Sequence, residues 1–179
     1  GAADINTTVA GKLYIIVNPD ATPTAAVYAV ARELSVLMRY FQTWADFNYT
    51  WGTLGASESA GGFYISKNSL GVYDPQNRVI LTKNKSNAVQ RITAEAWFNN
   101  IQQGPFTVDT TDDAIALKIE RNGNIWRCYW SALQGGDINW TLICQFEDPS
   151  NFMTDTTKIY LVVDNPGTAD AETIQVDID

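Results

Sequence analysis

A chain of 179 residues, 45% hydrophobic and carrying six Trp, can bury a sizeable core and is not a disordered chain. Its formal net charge of −8 lacks the basic stripe that phosphate backbones require, and it has no run of about 18 apolar residues, so neither nucleic acid nor a membrane is an expected partner. The absence of histidine removes Ser-His-Asp and Cys-His nucleophile activation, along with every His-containing metal site.

Residues 1–11 are small and polar and read as an arm. Lys12–Val17 (KLYIIV) is a short strand closed by Asn18-Pro19-Asp20. Thr22 and Pro23 have the form of an N-cap and first helical residue, and Val27, Val30, Leu34, Leu37, Met38 and Phe41 recur at helical spacing. This spacing predicts one amphipathic helix over Pro23–Thr43. A strand over Leu34–Tyr40 is the alternative, because Leu34, Val36, Met38 and Tyr40 also alternate. Ala45–Trp51 (ADFNYTW) reads as extended, and Gly52–Gly62 (GTLGASESAGG) as a linker or exposed loop. Residues 1–50 are thus expected as a strand and helix appended to a core formed by 51–179.

From there the chain reads as all-β. Strands are expected at Phe63–Ser66, Ser69–Tyr73, Arg78–Thr82, Val89–Phe98 and Phe106–Asp109, with turns at Asp74–Asn77 and Gln103-Gly104-Pro105. Asp109, Asp112 and Asp113 then crowd three carboxylates into one loop, an oxygen-rich arrangement that suits calcium or simply a solvated turn. Lys158–Asp164 and Thr173–Ile178 supply the last two strands.

Between these lies the most informative stretch, Ala114–Glu147. Three apolar-alternating runs joined by glycine turns predict an antiparallel meander. Asn122-Gly123 is a strong signal for a two-residue hairpin; as the loop, it pairs Ile119 with Trp126 and Lys118 with Arg127. Keeping apolar against apolar across the second turn pairs Trp126 with Phe146, Cys128 with Cys144, and Trp130 with Leu142. One face then carries Ile115, Leu117, Ile119, Trp126, Cys128, Trp130, Leu142, Cys144 and Phe146, a core set that a one-residue slip would expose. Cys128 and Cys144 are read as buried thiols, with a cross-strand disulfide as the alternative.

The opposite face carries Ala116, Lys118, Glu120, Ile125, Arg127, Tyr129, Thr141, Ile143, Gln145 and Glu147. Lys118, Arg127, Tyr129, Gln145 and Glu147 are the candidate ligand-binding residues, since sugar sites combine a ring to stack on with polar groups that fix orientation. In this register Glu120 and Glu147 share one row, with backbones roughly 9–10 Å apart. That is close to the carboxyl spacing of about 6.5–9.5 Å in inverting glycosidases. A salt-bridged surface ladder accounts for them more simply, and no catalytic motif is present.

The stretch DDAIALKIERNGNIWRCYWSALQGGDINWTLI resembles the back half of concanavalin A-like lectin/glucanase domains. Arg121, Gly123, Asn124, Tyr129, Ser131, Gly136 and Trp140 carry the likeness, and KIYLVVDN with ETIQVDID is similar to the closing strands. The resemblance extends from about residue 104 onward. It implies a two-sheet antiparallel jelly-roll sandwich whose concave sheet often binds carbohydrate, sometimes with calcium at the rim, in an extracellular or virion-surface setting. The chain lacks the Glu-x-Asp-x-x-Glu strand of the glucanase branch and the histidine of the legume-lectin metal site. The expected function is therefore a non-catalytic, carbohydrate-binding recognition domain. A structural or assembly protein such as a viral tail or capsid component, forming a homo-oligomer, is the alternative, and a glycosidase or polysaccharide lyase the third.

Overall fold

A computed structural model describes residues 3–6, 13–17, 26–33, 39–51, 58–67, 76–86, 89–135, 138–152, 157–164 and 174–178. In chain order its strands are β1 (Ala3–Asn6), β2 (Leu13–Val17), β3 (Ala26–Glu33), β4 (Tyr40–Thr50), β5 (Glu58–Ser66), β6 (Arg78–Ser86) and β7 (Val89–Phe98). They continue as β8 (Ile101–Asp109), β9 (Ala114–Asn122), β10 (Ile125–Ser131), β11 (Thr141–Glu147), β12 (Lys158–Asp164) and β13 (Ile174–Ile178). One sheet has the order β1-β2-β13-β4-β9-β10-β11 and the other β3-β12-β5-β6-β7-β8. Phe47, Ile115, Leu117 and Trp126 of the first share one buried cluster with Phe63, Ile65, Leu81 and Ile92 of the second. The molecule is a two-sheet antiparallel β-sandwich.

The N-terminal reading needs correction. Among the described residues there is no α-helix, and the segment expected as the Pro23–Thr43 helix contributes β3 and the start of β4. Val27, Tyr28 and Val30 favour a pleated surface, and β3 pairs with β12 from Ala26 to Glu33 with one register shift. Of the positions at helical spacing, Val27 and Val30 lie on β3 and Phe41 on β4, while Leu34, Leu37 and Met38 lie outside the described residues. Residues 34–38, which hold most of the alternative Leu34–Tyr40 strand, lie outside the described residues, as does the expected Ser69–Tyr73 strand. Ala3–Asn6, expected as part of an arm, pairs with β2.

Two glycine signals also carry a different meaning from the one expected. Gly61 and Gly62 do not end a linker; they lie inside β5, where a ring of the facing sheet and the backbone of the adjacent strand β6 come too close for a side chain. A Cβ on Gly61 would sit 2.9 Å from the Tyr49 ring, and one on Gly62 would sit 2.3 Å from the Leu81 carbonyl oxygen. Gln103-Gly104-Pro105 lies within β8, where the pairing with β7 shifts register. The turn falls earlier, at Asn99-Asn100, both with positive φ (52° and 68°), as a two-residue hairpin between Phe98 and Ile101 demands.

The meander forms, with two local changes. Asn122 pairs with Ile125, so the loop is Gly123-Asn124 and Ile119 faces Cys128. Glycine now leads the loop at φ 64°, and its amide is held by the Arg39 carbonyl at 2.9 Å. Because each pairing moves by two residues, both faces keep their members. On the far side, Trp126–Phe146 and Cys128–Cys144 pair as expected, but Tyr129 then meets Leu142 and Trp130 meets Thr141. Ile143 is the extra residue of a β-bulge. It packs toward the core, while Leu142 is turned outward to 50% exposure.

Strands β8 and β11 end their respective sheets and lie alongside each other, with Phe106 and Phe146 ring centroids 5.8 Å apart. There the Gln103 amide behaves like a peptide group. Its Nε2 donates to the Glu147 carbonyl at 2.8 Å, and its Oε1 accepts from the Glu147 amide at 3.4 Å.

Trp126 is fully buried, stacked on Phe152 at 5.5 Å and edge-on to Phe41 at 5.7 Å. Trp126→Ala is expected to cost about 3–5 kcal/mol in urea unfolding; a loss under about 1 kcal/mol would remove it from the centre of the core. Cys128 and Cys144 are free and buried. The thiol of Cys128 is pushed well up by its hydrogen bond to Cys144 and by burial. Ellman's reagent should therefore leave the native protein unlabelled and titrate both thiols only after denaturation.

Candidate functional site

The candidate residues sit on the outer face of β4, β9, β10 and β11, and the register arranges them in rows. Gln42, Glu120, Arg127 and Gln145 are successive partners in one row, flanked by Trp44-Lys118-Tyr129-Leu142 on one side and Tyr40-Asn122-Ile125-Glu147 on the other. Glu120 and Glu147 therefore fall in different rows, contrary to the expected pairing. Glu120 is held by Arg127 Nη1 at 3.3 Å and by Lys118 Nζ at 3.8 Å. Arg127 also donates through Nε to Gln145 Oε1 at 2.9 Å, and Glu147 Oε1 accepts from Asn124 Nδ2 at 3.3 Å. All five expected residues share this face. Lys118 and Arg127 share Glu120, Gln145 joins through Arg127, and Glu147 stands one row away.

Lys118 organises the aromatic row. Its ammonium lies 4.2 Å from the Tyr129 ring centroid and 4.8 Å from that of Trp140, which is itself edge-on to Trp44 at 6.4 Å. Cation–π contact with two rings and a nearby carboxylate offset the loss of water around the charge. The Tyr129 hydroxyl is raised above its ordinary value, first by burial and then by the Glu120 charge. Trp44 is 49% exposed and Tyr40 is exposed.

Trp44, Trp140, Tyr40 and Gln42 were missed from sequence. Extending the alternation of Asp46 and Asn48 back through Trp44, Gln42 and Tyr40 would have placed three of them outward. Trp140 had no such signal, because it comes from the irregular segment before β11. Ala116, expected on the open face, is buried instead. Gln134 Nε2 donates to the carbonyls of Phe47 and Ile115 at 3.0 and 3.1 Å, and the Gly135 amide donates to Asp46 Oδ2 at 3.0 Å.

The acidic loop is built around a lysine. Lys83, fully buried, points inward from β6 and donates to the Asp112 carbonyl. Its ammonium lies 3.5 Å from Asp113 Oδ1 and 5.4 Å from the Tyr49 ring centroid. Asp113 Oδ1 also accepts from Trp51 Nε1 at 2.8 Å, and Asp112 Oδ2 accepts from Thr110 Oγ1 at 3.2 Å. Asp109 and Asp112 line an open depression with Gln90, Thr110 and Thr111. Among the described residues, no three His, Cys, Asp or Glu side chains gather in a way that would hold a metal. The donor set is a poor fit to calcium, because Lys83 already supplies the positive charge at Asp113.

No family model matches the chain, and no curated protein matches it. Solved structures do. A functionally unknown protein from Saccharomyces cerevisiae is 12% identical, with 99% of this chain and 88% of that chain covered and a TM-score of 0.58. The CBM2 module of the evolved Dit of Lactobacillus casei BL23 phage J-1 is also 12% identical, covering 99% and 77% at a TM-score of 0.58. A GH43 protein from Bacillus licheniformis is 13% identical at a TM-score of 0.62; the match takes in 94% of this chain but 32% of that one. These likenesses agree with the β-sandwich described above.

Burial holds the Lys83 ammonium below the ordinary lysine value of 10.5, and Asp113 and Asp112 offset this only in part. Between the lowered value and 10.5 the unfolded chain binds more protons at this site than the folded one, so stability rises with pH across that window. At lower pH both states are charged and the burial cost is fully present. Urea unfolding of the wild type and Lys83→Met over a pH series should show the wild type gaining on the variant as pH climbs toward that upper limit. A difference that stays flat or reverses would contradict a buried, strained ammonium.

Proposed function

We propose that the chain is a non-catalytic carbohydrate-recognition domain and that the outer face of β4, β9, β10 and β11 is its binding surface. Clustering of Trp44, Trp140 and Tyr129 beside the polar row Gln42-Glu120-Arg127-Gln145 is the observation that carries this. Pyranose rings present C–H faces that stack on aromatic rings and hydroxyls that need oriented donors and acceptors. Trp44 and Tyr129 in one row, with Trp140 beside them, offer the ring faces, and the adjacent polar row offers the donors and acceptors. The concanavalin A-like jelly-roll form, inferred from the motif around Arg121, Tyr129 and Trp140, agrees with such a role. So does the presence of a CBM2 module and GH43 proteins among the similar structures.

Lys118, Arg127, Tyr129 and Gln145 are the ligand contacts in this reading, with Glu147 at the margin. Glu120 positions Lys118 and Arg127. Calcium at Asp109, Asp112 and Asp113 is no part of it, because Asp113 already serves Lys83 and Trp51 and Asp112 serves Thr110.

A glycan array followed by calorimetry tests the assignment. Trp44→Ala and Tyr129→Ala should each weaken binding by about tenfold or more, corresponding to roughly 1.4 kcal/mol, while leaving the unfolding midpoint nearly unchanged for the exposed Trp44. Array binding that survives both substitutions would place the site elsewhere, and a blank array would remove the carbohydrate assignment.

A further inference from the structure

The three rows run across the strands, and their arrangement says more about the ligand than its class. Polar side chains form the middle row from β4 to β11, bounded by Trp44, Tyr129 and Leu142 on one side and by Tyr40 and Ile125 on the other. Side chains two apart on a strand stand about 7 Å from one another, so the polar strip is about as wide as one sugar ring. Four strands at about 4.8 Å spacing give it a length of roughly 14 Å, on the order of three sugar rings end to end. Gln42 and Gln145, at the two ends of the strip, are both exposed. Along the β4–β9 half it deepens into a depression lined by Tyr40, Gln42, Glu120 and Asn122. A site for a chain terminus would need a wall at one end; none stands across this strip among the described residues.

The charges point to an uncharged ligand. Lys118 and Arg127 in these rows are matched by Glu120 and Glu147, and the two cations already engage Glu120 at 3.8 and 3.3 Å. No surplus charge is left on the strip to meet a carboxylate or sulfate, and the whole molecule at net −8 would repel a polyanion.

We infer that the face holds an internal stretch of an uncharged glycan chain, about three sugar rings long, lying across strands β4, β9, β10 and β11. This rests on the carbohydrate assignment made above and narrows it from a sugar to a chain. Recognition then comes from successive rings along the strip: the Trp44–Trp140 pair at the β4 end, Glu120 and Arg127 beneath the middle, and Gln145 at the β11 end.

Calorimetric titration with xylo-, cello- and manno-oligosaccharide ladders, each from the monosaccharide to the hexasaccharide, decides it. The expected result for at least one ladder is affinity that rises by about tenfold or more between the monosaccharide and the tri- or tetrasaccharide and then levels off, unchanged between low and high salt. Gln42→Ala and Gln145→Ala, at opposite ends of the strip, should each weaken the tetrasaccharide more than the disaccharide. Gln102→Ala, on the other sheet, should change nothing. A monosaccharide that binds as tightly as the tetrasaccharide overturns the inference, as does affinity that collapses with salt. If the glycan array is positive only for short terminal determinants and no ladder binds, the chain inference falls and carbohydrate recognition stands. If array and ladders are both blank, both fall.

Discussion

Everything on the outer face depends on the side-chain parity of β4, β9 and β10. Phe47, Ile115, Leu117, Ile119, Trp126 and Cys128 are all fully buried between the sheets. Strand side chains alternate strictly, so burying one set turns the intervening residues to the other side. A slip of one residue on β9 would expose Ile115, Leu117 and Ile119 together, a loss of several kcal/mol at about 25 cal/mol per Å² of apolar area. The hairpin loop moved by one position without harm, because that change preserves parity. The apolar core thus sets which side chains stand on the outer face, although none of its members lies there.

Within that frame the two sides of the sandwich treat charge differently. Lys118 is held at the surface between two rings and a carboxylate, where the charge keeps partial access to water. Lys83 is drawn completely inside, and its hydrogen-bond and ion-pair partners come from the Asp112-Asp113 loop. A buried ammonium is costly unless it is paired, and replacing it by an apolar group of similar volume is often neutral or stabilising. The lysine fits a positional role, because it ties the Asp112-Asp113 loop to β6. The Tyr49 amide, 2.9 Å from the Asp113 carbonyl, adds a second tie from β4.

Where alternation was uninterrupted, the sequence was a good guide. The core set of the meander, the opposition of Cys128 and Cys144, and the shared face of Lys118, Arg127, Tyr129, Gln145 and Glu147 all follow from a period of two. Leu142 and Ile143 exchanged faces because a bulge carries no residue signature beyond the pairing it disrupts. The N-terminal segment misled for a different reason: Val27 and Val30 of β3 and Phe41 of β4 fall on one helical spacing, and the pairing of β3 with β12 is not visible along the chain. The same error hid Trp44, whose outward position depends on knowing that β4 starts at Tyr40. Gly61 and Gly62 were ambiguous in principle, since flexibility and close packing call for the same residue.

The contact of Gln103 with Glu147 has one more consequence, for behaviour in concentrated solution. An edge strand carries peptide groups able to recruit another chain, and such recruitment is the first step toward ordered aggregates. At Glu147 both groups of one peptide position are satisfied by a side-chain amide from the opposite sheet. One rung of the β11 edge is thereby withdrawn from templating, by a residue that adds neither charge nor proline. The glutamine acts as a molecular full stop, ending the ladder where another copy of the chain could otherwise continue it.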